Sequence, residues 1–509
     1  MKILFATIAI RQGPAGATSE LASARYRVLI PAQQLARLGH HVQVASLQPG
    51  GWPPSVVEAP CDVLVISKSF HADNEALAQS MKGRGVRVIV DMCDDHFARP
   101  IVGAHQRALI ALADQVIAST QAMAESILRN TGRDSIVVTD PVEGPRGEPR
   151  FEPRFPELRI VWFGHPSNLD GVAEKGEELV RLAANAPVRI QLVTQPSDEL
   201  DQLAAQMNAT RPGRLRAEIV PWSVASTWQA LQDADLAWIP AVAGAGKAVK
   251  SPNRLLESLW AGRLVVADAV PSYMPFADLV PIGVPLDQAL AQALRDPVKV
   301  RADIARAQRR IGRDHSPFAC GRAWAEALGD AGVPTLKLNL GCGDKILPGY
   351  VNVDVAEARA GMRPDVICDL HDLVPFADNC ADEILSVHVV EHFWRWEVRD
   401  ILREWMRVLK PGGRMIVECP NLLSACGTFL QNPDQFSRED QNGQRTMWVF
   451  YGDPAWKDPL MIHRWGYTPE SLKQLLAEVG LGDVRQEPAQ FKQREPRDMR
   501  IVGLKPAAA

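Results

Sequence analysis

The sequence predicts an α/β protein of three domains, each with a largely parallel sheet covered by helices. Short strand-like runs alternate with helix-like runs from end to end, a pattern typical of such sheets. A length of 509 residues suits about three domains of ordinary size. The alternation stops twice, at a group of prolines near residue 150 and around residues 329–334. We therefore expect Rossmann-like domains over residues 1–150, 151–330 and 331–509.

Composition narrows the class of protein. A hydrophobic fraction of 46% and a charged fraction of 23% are typical of a soluble globular chain, and the net charge of −4 argues against a nucleic-acid partner. The eight cysteines show no metal-ligand spacing, which predicts a reducing cytoplasm and no metal site. No apolar run approaches about 20 residues, so we expect no transmembrane segment. A peripheral contact at the inner membrane face stays open.

Apolar runs bounded by polar residues or glycines indicate the strands of the first two domains. The prolines between Pro141 and Pro156 exclude regular structure between the two series. A helical segment at about 286–312 follows the second series. The predicted strands cover residues 2–8, 42–46, 62–66, 86–90, 115–118, 136–139, 159–163, 188–193, 217–220, 234–239 and 263–267.

A helix predicted to start after Ser251 suits an anionic ligand. Ser251 is a good N-cap and Pro252 suits the first helical position, so free amides and the positive end of the helix dipole face the preceding loop. Lys247 and Lys250 come just before it and could bind a diphosphate. Glu257 lies further into the helix, where it could bind ribose hydroxyls. The alternative is a well-capped amphipathic helix whose Glu257 is merely solvated.

Several segments within the first 315 residues together resemble the GT-B glycosyltransferases, in particular the group 1 (GT4-like) members. The strongest match is KSPNRLLE at 250–257, followed by Ala261-Gly262. The resemblance implies two Rossmann-like domains with a cleft between them, and a nucleotide-diphosphate sugar as the donor substrate. The other matching segments are ARYRV at 24–28, LGHHV at 38–42, VDMCDDH at 90–96, ADQVIAST at 113–120 and WFG at 162–164.

This resemblance assigns candidate residues to both sides of the cleft. Retaining members often carry two glutamates eight residues apart, and the first would fall at Val249, which cannot hydrogen-bond a sugar. The candidate arginines could bind an anionic acceptor or a phosphate, or could be solvated. The donor-side candidates are Gly164, Lys247, Lys250, Ser251, Asn253 and Glu257, and the acceptor-side candidates are Arg25, Arg27, Asp94 and His96.

A glycine turn opens the last predicted domain. Gly341-Cys342-Gly343 follows an apolar run at 336–340, and the next apolar run ends in Asp354. Glycines let a ligand approach the backbone, and a carboxylate at the tip of the next strand can take two ribose hydroxyls. The third glycine of a dinucleotide fingerprint is missing and a short helix ended by Pro348-Gly349 is expected, which suits a methionine-bearing nucleoside better than a pyrophosphate. The alternative is an ordinary strand-turn-strand.

Together with three later segments, this turn resembles the class I S-adenosylmethionine-dependent methyltransferases (type 11-like). The segments are CDL at 368–370, HVVEHF at 388–393 and LKPGG at 409–413. The resemblance implies S-adenosylmethionine as cofactor, a terminal hairpin of strands at 482–487 and 498–504, and a catalytic base if the acceptor is a hydroxyl. The cofactor candidates are Gly341, Gly343, Asp354, Asp369 and Leu370, and the candidates for the catalytic base are His388, Glu391, His392 and His463.

Residues 421–467 are rich in aromatic side chains and long for a connection between a strand and a helix. With the nearby Trp394 and Trp396, they predict either an acceptor lid whose aromatic faces meet sugar C–H groups, or a small satellite core.

These resemblances predict a bifunctional enzyme. The GT-B half would transfer a sugar from a nucleotide-sugar donor, and the last domain would methylate a surface glycan on an oxygen, in polysaccharide or lipopolysaccharide assembly by analogy. The expected partner is a glycan or a lipid-linked sugar acceptor. Two alternatives stay open: only the methyltransferase is active and the GT-B half is a degenerate acceptor-binding module, or the methyl acceptor is a small metabolite or a protein nitrogen.

Overall fold

The computed structural model divides the chain into two compact units, Met1–Ala331 and Gly332–Ala509. No helix in the described part of the chain is both long and apolar enough to cross a membrane. The structure describes residues 1–13, 16–153, 156–242, 244, 248–329, 335–434, 441–491 and 498–507, without the side chains of 441–445.

The first sheet of the N-terminal unit is parallel and has six strands in the order β4-β1-β5-β6-β7-β8. Alternate side chains of β1 point to opposite faces, where Ile3 and Phe5 join one apolar cluster and Leu4 and Ala6 join another. Both faces are therefore covered, as expected for a parallel sheet. β2 and β3 form a separate antiparallel hairpin. The strands are β1 (Lys2–Thr7), β2 (Arg11–Gly13), β3 (Gly16–Thr18), β4 (His41–Ser46), β5 (Val63–Ser67), β6 (Arg87–Met92), β7 (Gln115–Ala118) and β8 (Ile136–Val137).

The second sheet of this unit is parallel and has five strands in the order β11-β10-β9-β12-β13. The strand order reverses between β9 and β12, so a crevice for a ligand is expected at their carboxyl ends. The strands are β9 (Leu158–Phe163), β10 (Val188–Thr194), β11 (Leu215–Pro221), β12 (Leu236–Ile239) and β13 (Leu264–Ala267).

The helices of the N-terminal unit fill the connections between strands, as the alternating sequence predicts. They are Ala22–Ala24, the π-helix Arg25–Leu29, Ile30–Arg37, Pro54–Val57, Ala72–Gly83, Pro100–Leu112, Gln121–Thr131, the 3-10 helix Pro166–Asn168, Leu169–Glu174, Gly176–Asn185, Asp198–Thr210, Val224–Asp233, Asn253–Trp260, the 3-10 helix Pro271–Phe276, Leu286–Ala293, Pro297–His315 and Pro317–Ala327.

The single helical segment predicted at about 286–312 is wrong in extent. Two helices cover this region, Leu286–Ala293 and Pro297–His315, and a third, Pro317–Ala327, follows it. Its start is set by Ser316, whose hydroxyl accepts a hydrogen bond from the amide of Ala319. This helix packs on the first sheet, where the ring centroid of Trp324 lies 5.6 Å from that of Phe5.

The C-terminal unit has one seven-stranded sheet in the order β16-β15-β14-β17-β18-β20-β19. The first five strands are parallel, and β20 pairs antiparallel with both β18 and β19. The predicted terminal hairpin and the α/β fold class are confirmed. The strands are β14 (Lys337–Leu340), β15 (Val351–Asp354), β16 (Val366–Ile367), β17 (Ala381–Val387), β18 (Leu409–Pro420), β19 (Gly482–Glu487) and β20 (Asp498–Leu504).

The short helix expected before Pro348 does not form. The connection from β14 to β15 consists of turns, and two buried asparagines hold it. Asn339 donates to the carbonyl of Lys345 over 3.0 Å and to the side chain of Asn352 over 2.9 Å. These hydrogen bonds replace those that a helix would supply.

The helices of the C-terminal unit follow the strands they cover. They are the 3-10 helix Val390–His392, Val398–Val408, Leu422–Gln431, Gln441–Tyr451, the 3-10 helices Pro454–Trp456 and Pro459–Met461, and Pro469–Glu478.

Candidate functional site

The predicted nucleotide-binding helix of the N-terminal unit runs from Asn253 to Trp260. The prediction that Ser251 caps this helix is wrong. The N-cap is Pro252, with a φ of −80° and a ψ of 18°, so Ser251 lies one residue before the cap. The side-chain amide of Asn253 donates to Asp140 over 2.9 Å. Lys247 lies outside the described residues.

Glu257 is buried inside the unit. The hydroxyl of Tyr26 donates a hydrogen bond to its carboxylate. Burial raises the pKa of Glu257 to about 8, and the charge of Glu143 adds to this. The alternative of a merely solvated Glu257 is therefore wrong, and a ribose could reach this carboxyl group only after Tyr26 had moved.

Two arginines of the predicted acceptor side are tied to carboxylates. The Nε atom of Arg25 lies 2.9 Å from Glu143, and its guanidinium lies over the ring of Trp222. Arg27 is fully buried and pairs with Asp91 and Asp140. The structure contradicts an acceptor-binding role for Arg27, because this guanidinium is sealed in the core and neutralised there.

Asp94 and His96 end the predicted acceptor segment. Asp94 forms ion pairs with both Lys250 and Lys68. His96 is half-buried, and burial together with Lys68 and Arg99 lowers its pKa below the ordinary range. A donor-side lysine and an acceptor-side aspartate are thus already bound to each other.

Gly164 follows β9 and lies close to Arg254 and Asn168, two residues that the sequence analysis did not include among the candidate site residues. A Cβ atom at Gly164 would lie 3.5 Å from Nη1 of Arg254 and 3.5 Å from Nδ2 of Asn168. The Nη1 atom of Arg254 is buried and has no hydrogen-bond partner among the described residues. The only sequence signal for Arg254 is its place in the KSPNRLLE segment. A small cleft at the carboxyl ends of β9 and β12 includes Asn168 and Gly171.

The glycine turn of the C-terminal unit lies where its strand order reverses, between β14 and β17. Gly341 has a φ of +69°, and a Cβ atom there would lie 2.4 Å from Cγ2 of Val389. Gly343 has a φ of +55° and donates its amide to Asp354 over 2.8 Å. The second oxygen of Asp354 accepts from the amide of Ala356 over 2.9 Å. The two predicted glycines and the predicted carboxylate therefore form one contiguous group.

Leu370 and Asp369 have different surroundings. The Cδ1 atom of Leu370 would lie 3.4 Å from a Cβ atom at Gly341, and its carbonyl accepts from the indole of Trp405 over 3.0 Å. The side chain of Asp369 is 61% exposed and bonds to His371, whose pKa it raises. Leu370 lies beside the turn, whereas the carboxylate of Asp369 is engaged by its neighbour.

The four predicted base candidates come together after β17. His388 has a φ of +57°, and its Nε2 atom lies 2.6 Å from Asp498. Glu391 is buried, and its Oε1 atom lies 3.5 Å from Nδ1 of His388 and 3.9 Å from Nε2 of His463. The rings of His392 and His463 meet edge to face, with centroids 4.9 Å apart.

Sequence spacing predicted no metal site, yet one atom each from Glu391, His392 and His463 lie within 4.8 Å of one another. His463 is distant in sequence, and the segment that carries it is held by the backbone carbonyl of Glu391. This carbonyl accepts from the amides of Arg464 over 2.7 Å and Trp465 over 3.2 Å. Such a long-range contact gives no local sequence signal.

Aromatic side chains lie exposed close to this group in sequence. Trp394 and Trp396 stack with centroids 4.7 Å apart and an interplanar angle of 9°. Trp396 is 73% exposed, and Arg464 lies over the ring of Trp394 at 5.3 Å. Trp456 and Trp465 are also exposed. These side chains are available for a ligand, as the lid interpretation of the segment requires.

Solved structures are similar to part of the chain, and one protein family matches a shorter segment of it. No curated protein matches the chain. Among solved structures, the Anabaena protein HepE in complex with UDP has 16% identity and a TM-score of 0.48, with 65% of this chain and 100% of that chain covered. The lipopolysaccharide outer core galactosyltransferase WaaB, in its apo form, has 13% identity, coverage of 65% and 99%, and a TM-score of 0.45. The α,α-trehalose 6-phosphate synthase of Burkholderia multivorans has 11% identity, coverage of 65% and 97%, and a TM-score of 0.47.

Residues 348–417 match the protein family described as "Methyltransferase domain". This segment includes Asp354 and three of the predicted base candidates, His388, Glu391 and His392, but not His463. The C-terminal unit thus contains a segment that matches the methyltransferase domain family, and the N-terminal unit contains two parallel sheets.

Proposed function

We propose that the C-terminal unit transfers a methyl group from S-adenosylmethionine to a hydroxyl group of a glycan. The observation that carries this proposal is the turn at Gly341 and Gly343 beside the carboxylate of Asp354, at the point where the strand order reverses. Glycine is needed at position 341, because its φ is +69° and a Cβ atom there would lie 2.4 Å from Cγ2 of Val389.

The residues around the turn fit an adenosyl group. The two oxygens of Asp354 each accept one backbone amide and keep lone pairs for two ribose hydroxyls. Leu370 offers an apolar surface beside Gly341 for the base, and Asp369 a carboxylate one residue before it. When bound, S-adenosylmethionine supplies an already activated methyl group, so the protein must mainly hold and align the acceptor.

A hydroxyl acceptor must also lose its proton. The imidazoles of His388, His392 and His463 are the groups near the end of β17 that can take it. An imidazole that gains a proton becomes a cation, which the buried carboxylate of Glu391 would stabilise from 3.5 Å in the case of His388. Asp498 orients His388 through its other nitrogen.

A glycan is the acceptor class that the exposed aromatic side chains favour. The parallel pair of Trp394 and Trp396 presents a flat apolar face to solvent. Such a face suits the C–H groups of a sugar ring, while Arg464, which lies over the ring of Trp394, suits hydroxyl or acidic groups of the same glycan. A small metabolite would leave most of this surface unused.

For the N-terminal unit we propose transfer of a sugar from a nucleotide-diphosphate donor. Lys250 and the backbone amides at the start of the helix that begins with Asn253 would hold the diphosphate. Lys247 and Ser251 are close to this helix in sequence, and Gly164 follows the strand β9. Glu257 would bind the ribose once Tyr26 leaves it. Arg25, Asp94 and His96 would form the acceptor side.

One observation favours the alternative of a degenerate module. Val249, at the position of the first glutamate of retaining enzymes, is buried in the core beneath the first sheet. Its carbonyl accepts a hydrogen bond from the hydroxyl of Thr120 over 2.9 Å. A sugar therefore finds no acidic side chain at this position, and the unit would then serve to bind the acceptor for methylation.

The cellular setting follows from the same chemistry. All eight cysteines are free thiols, which suits the reducing cytoplasm. Leu423 and Leu430 project exposed apolar side chains from the helix Leu422–Gln431, which would suit a peripheral contact with a membrane that carries a lipid-linked sugar. We propose surface polysaccharide assembly as the process.

Two measurements test these functions separately. Transfer of labelled methyl from S-adenosylmethionine to a purified surface glycan oligomer is expected, and transfer to metabolites or proteins alone would contradict the glycan proposal. Hydrolysis of nucleotide sugars by the full chain, lost in Glu257→Ala, supports sugar transfer. Absence of hydrolysis and of nucleotide binding, with methyl transfer intact, would establish the degenerate module.

A further inference from the structure

The carboxylate of Glu391 is buried without a hydrogen-bond donor. Its side chain is 3% exposed, and within the described ranges neither carboxylate oxygen accepts a hydrogen bond. The backbone amides of Arg464 and Trp465 bind its carbonyl instead of its side chain. Burial of a carboxylate that accepts no hydrogen bond is costly, so a cation beside it would be stabilising.

The nearest imidazole, that of His388 at 3.5 Å, is paired with Asp498 through its other nitrogen. Two further imidazoles, those of His392 and His463, also lie close to the carboxylate. The Nδ1 atom of His392 lies 3.1 Å from the carbonyl of Ile462, and the Nδ1 atom of His463 lies 2.9 Å from the carbonyl of Val449. Since a carbonyl can only accept, both Nδ1 atoms carry protons, and each neutral ring keeps its lone pair on Nε2.

This arrangement differs from an ordinary histidine–carboxylate pair. The Nε2 atom of His463 is 3.9 Å from Oε1 of Glu391, too far for a hydrogen bond. One carboxylate and two imidazoles thus lie close together with no hydrogen bond between the carboxylate and either ring. The carbonyls of Ile462 and Val449 fix the two rings in the way that backbone carbonyls orient histidines bound to metals.

We propose that Glu391, His392 and His463 bind one divalent transition-metal ion of the zinc class. Two imidazole nitrogens and one carboxylate oxygen favour Zn²⁺, Co²⁺ or Fe²⁺ over Mg²⁺ and Ca²⁺, which prefer oxygen. The ligand atoms lie within 4.8 Å of one another. An ion about 2.1 Å from each needs them about 3.4 Å apart, so shifts of about an ångström or less complete the site.

Three protein ligands leave coordination positions open. The ligand that we assign to them is a hydroxyl of the glycan acceptor, an assignment that rests on the proposed methyl transfer. With His392 and His463 engaged by the ion, His388, held by Asp498, is the group left to take the proton. The binding of the ion itself does not depend on the methyl acceptor.

The test is a titration of the chelator-treated full-length protein with Co²⁺, followed by its visible absorption, and with Zn²⁺ in competition. We expect about one equivalent of Co²⁺ with a d–d spectrum of low coordination number, displaced by Zn²⁺. His392→Ala, His463→Gln and Glu391→Gln should each weaken binding at least about 100-fold. His41→Ala, which removes an exposed histidine from β4, should bind as the wild type does.

Binding of S-adenosylhomocysteine, measured by calorimetry on the same samples, reports whether each variant keeps a folded C-terminal unit. The proposal is overturned if the wild type takes up no Co²⁺ or Zn²⁺, which would mean that a proton on one imidazole neutralises Glu391. It is equally overturned if folded His392→Ala and His463→Gln bind the ion as tightly as His41→Ala. A wild type that binds the ion but no S-adenosylhomocysteine would refute the proposed methyl transfer and leave the ion site standing.

Discussion

Replacing Asp354 by asparagine tests the proposed cofactor site most directly. Both oxygens of Asp354 accept backbone amides, one from Gly343 at 2.8 Å and one from Ala356 at 2.9 Å. An asparagine keeps the shape but turns one oxygen into an NH₂ group, which must then face a backbone N–H. The substitution therefore removes the charge, one ribose acceptor and one support of the glycine turn together.

The expected loss can be estimated from these contacts. A hydrogen bond to a charged group contributes about 1.5–3 kcal/mol, and asparagine loses one such bond to a ribose hydroxyl and weakens the other. We expect a loss of about 3 kcal/mol, so the Kd for S-adenosylhomocysteine should rise about 100-fold. The melting temperature should fall only slightly, because the affected turn is local.

Isothermal titration calorimetry of the full chain with S-adenosylhomocysteine measures this change. Asp400→Asn is the matched control, since Asp400 is an exposed carboxylate of the same unit that pairs with Arg403. The control should bind as the wild type does. A Kd for Asp354→Asn within about threefold of the wild type, with a folded protein, would refute the role of this carboxylate.

Three further changes probe other parts of the molecule. Gly341→Ala places a Cβ atom 2.4 Å from a valine side chain at a φ of +69°, so we expect calorimetry to show a stability loss of about 1–3 kcal/mol and weaker S-adenosylhomocysteine binding. Glu257 has a folded pKa of about 8 against 4.5 when unfolded, so the folded state holds the extra proton between these values. The contribution of Glu257 to the free energy of unfolding is complete below about pH 4.5 and is lost as the pH rises through about 8. Glu257→Gln should therefore flatten the fall of the melting temperature over this pH range. Trp396→Ala removes a side chain that is 73% exposed, so scanning calorimetry should show unchanged stability while the KM for a glycan acceptor rises several-fold.

Each of these changes has a control or a contradicting result. Gly349→Ala carries the same backbone penalty at a φ of +80° but meets no atom within 4 Å, so it should spare the cofactor. An equal pH slope in wild type and Glu257→Gln would show that Glu257 is not the group responsible. Val298→Ala removes a comparably exposed apolar side chain, 68% exposed, to which no role is assigned, and an equal KM in both variants would contradict a glycan platform at Trp396.

Most strands were predictable because they are short apolar runs with a polar or glycine boundary. The hairpin strands Arg11–Gly13 and Gly16–Thr18 are exposed and carry no such run, and they were not predicted. The predicted run at 188–193 became Val188–Thr194, and those at 482–487 and 498–504 match the structure. The contact between the glycine turn and Asp354 was predictable for the same reason. Parallel neighbouring strands bring their carboxyl ends to one edge, so local sequence fixes that contact.

Contacts between distant residues were not predictable. The hydrogen-bond partners Tyr26 and Glu257 are 231 positions apart, and the local sequence around either residue gives no indication of the other. His463 reaches Glu391 through a segment held by backbone hydrogen bonds, which any sequence can form. The missing helix before Pro348 has a subtler cause. Buried Asn339 and Asn352 satisfy the turn from within, and asparagine readily competes with helical hydrogen bonding.

The two proposed sites differ in what a ligand must displace. In the N-terminal unit, Lys250, Asn253 and Glu257 already bind Asp94, Asp140 and Tyr26. A nucleotide must break these contacts, so its affinity is reduced by their free energy and the two sheets must separate locally. In the C-terminal unit the backbone amides around Asp354 orient its carboxylate without occupying all its lone pairs. A methyl donor would therefore meet a preorganised site, whereas a sugar donor could bind only after these contacts had broken. The buried Val249 offers the sugar no carboxylate whose hydrogen bonds could offset this cost.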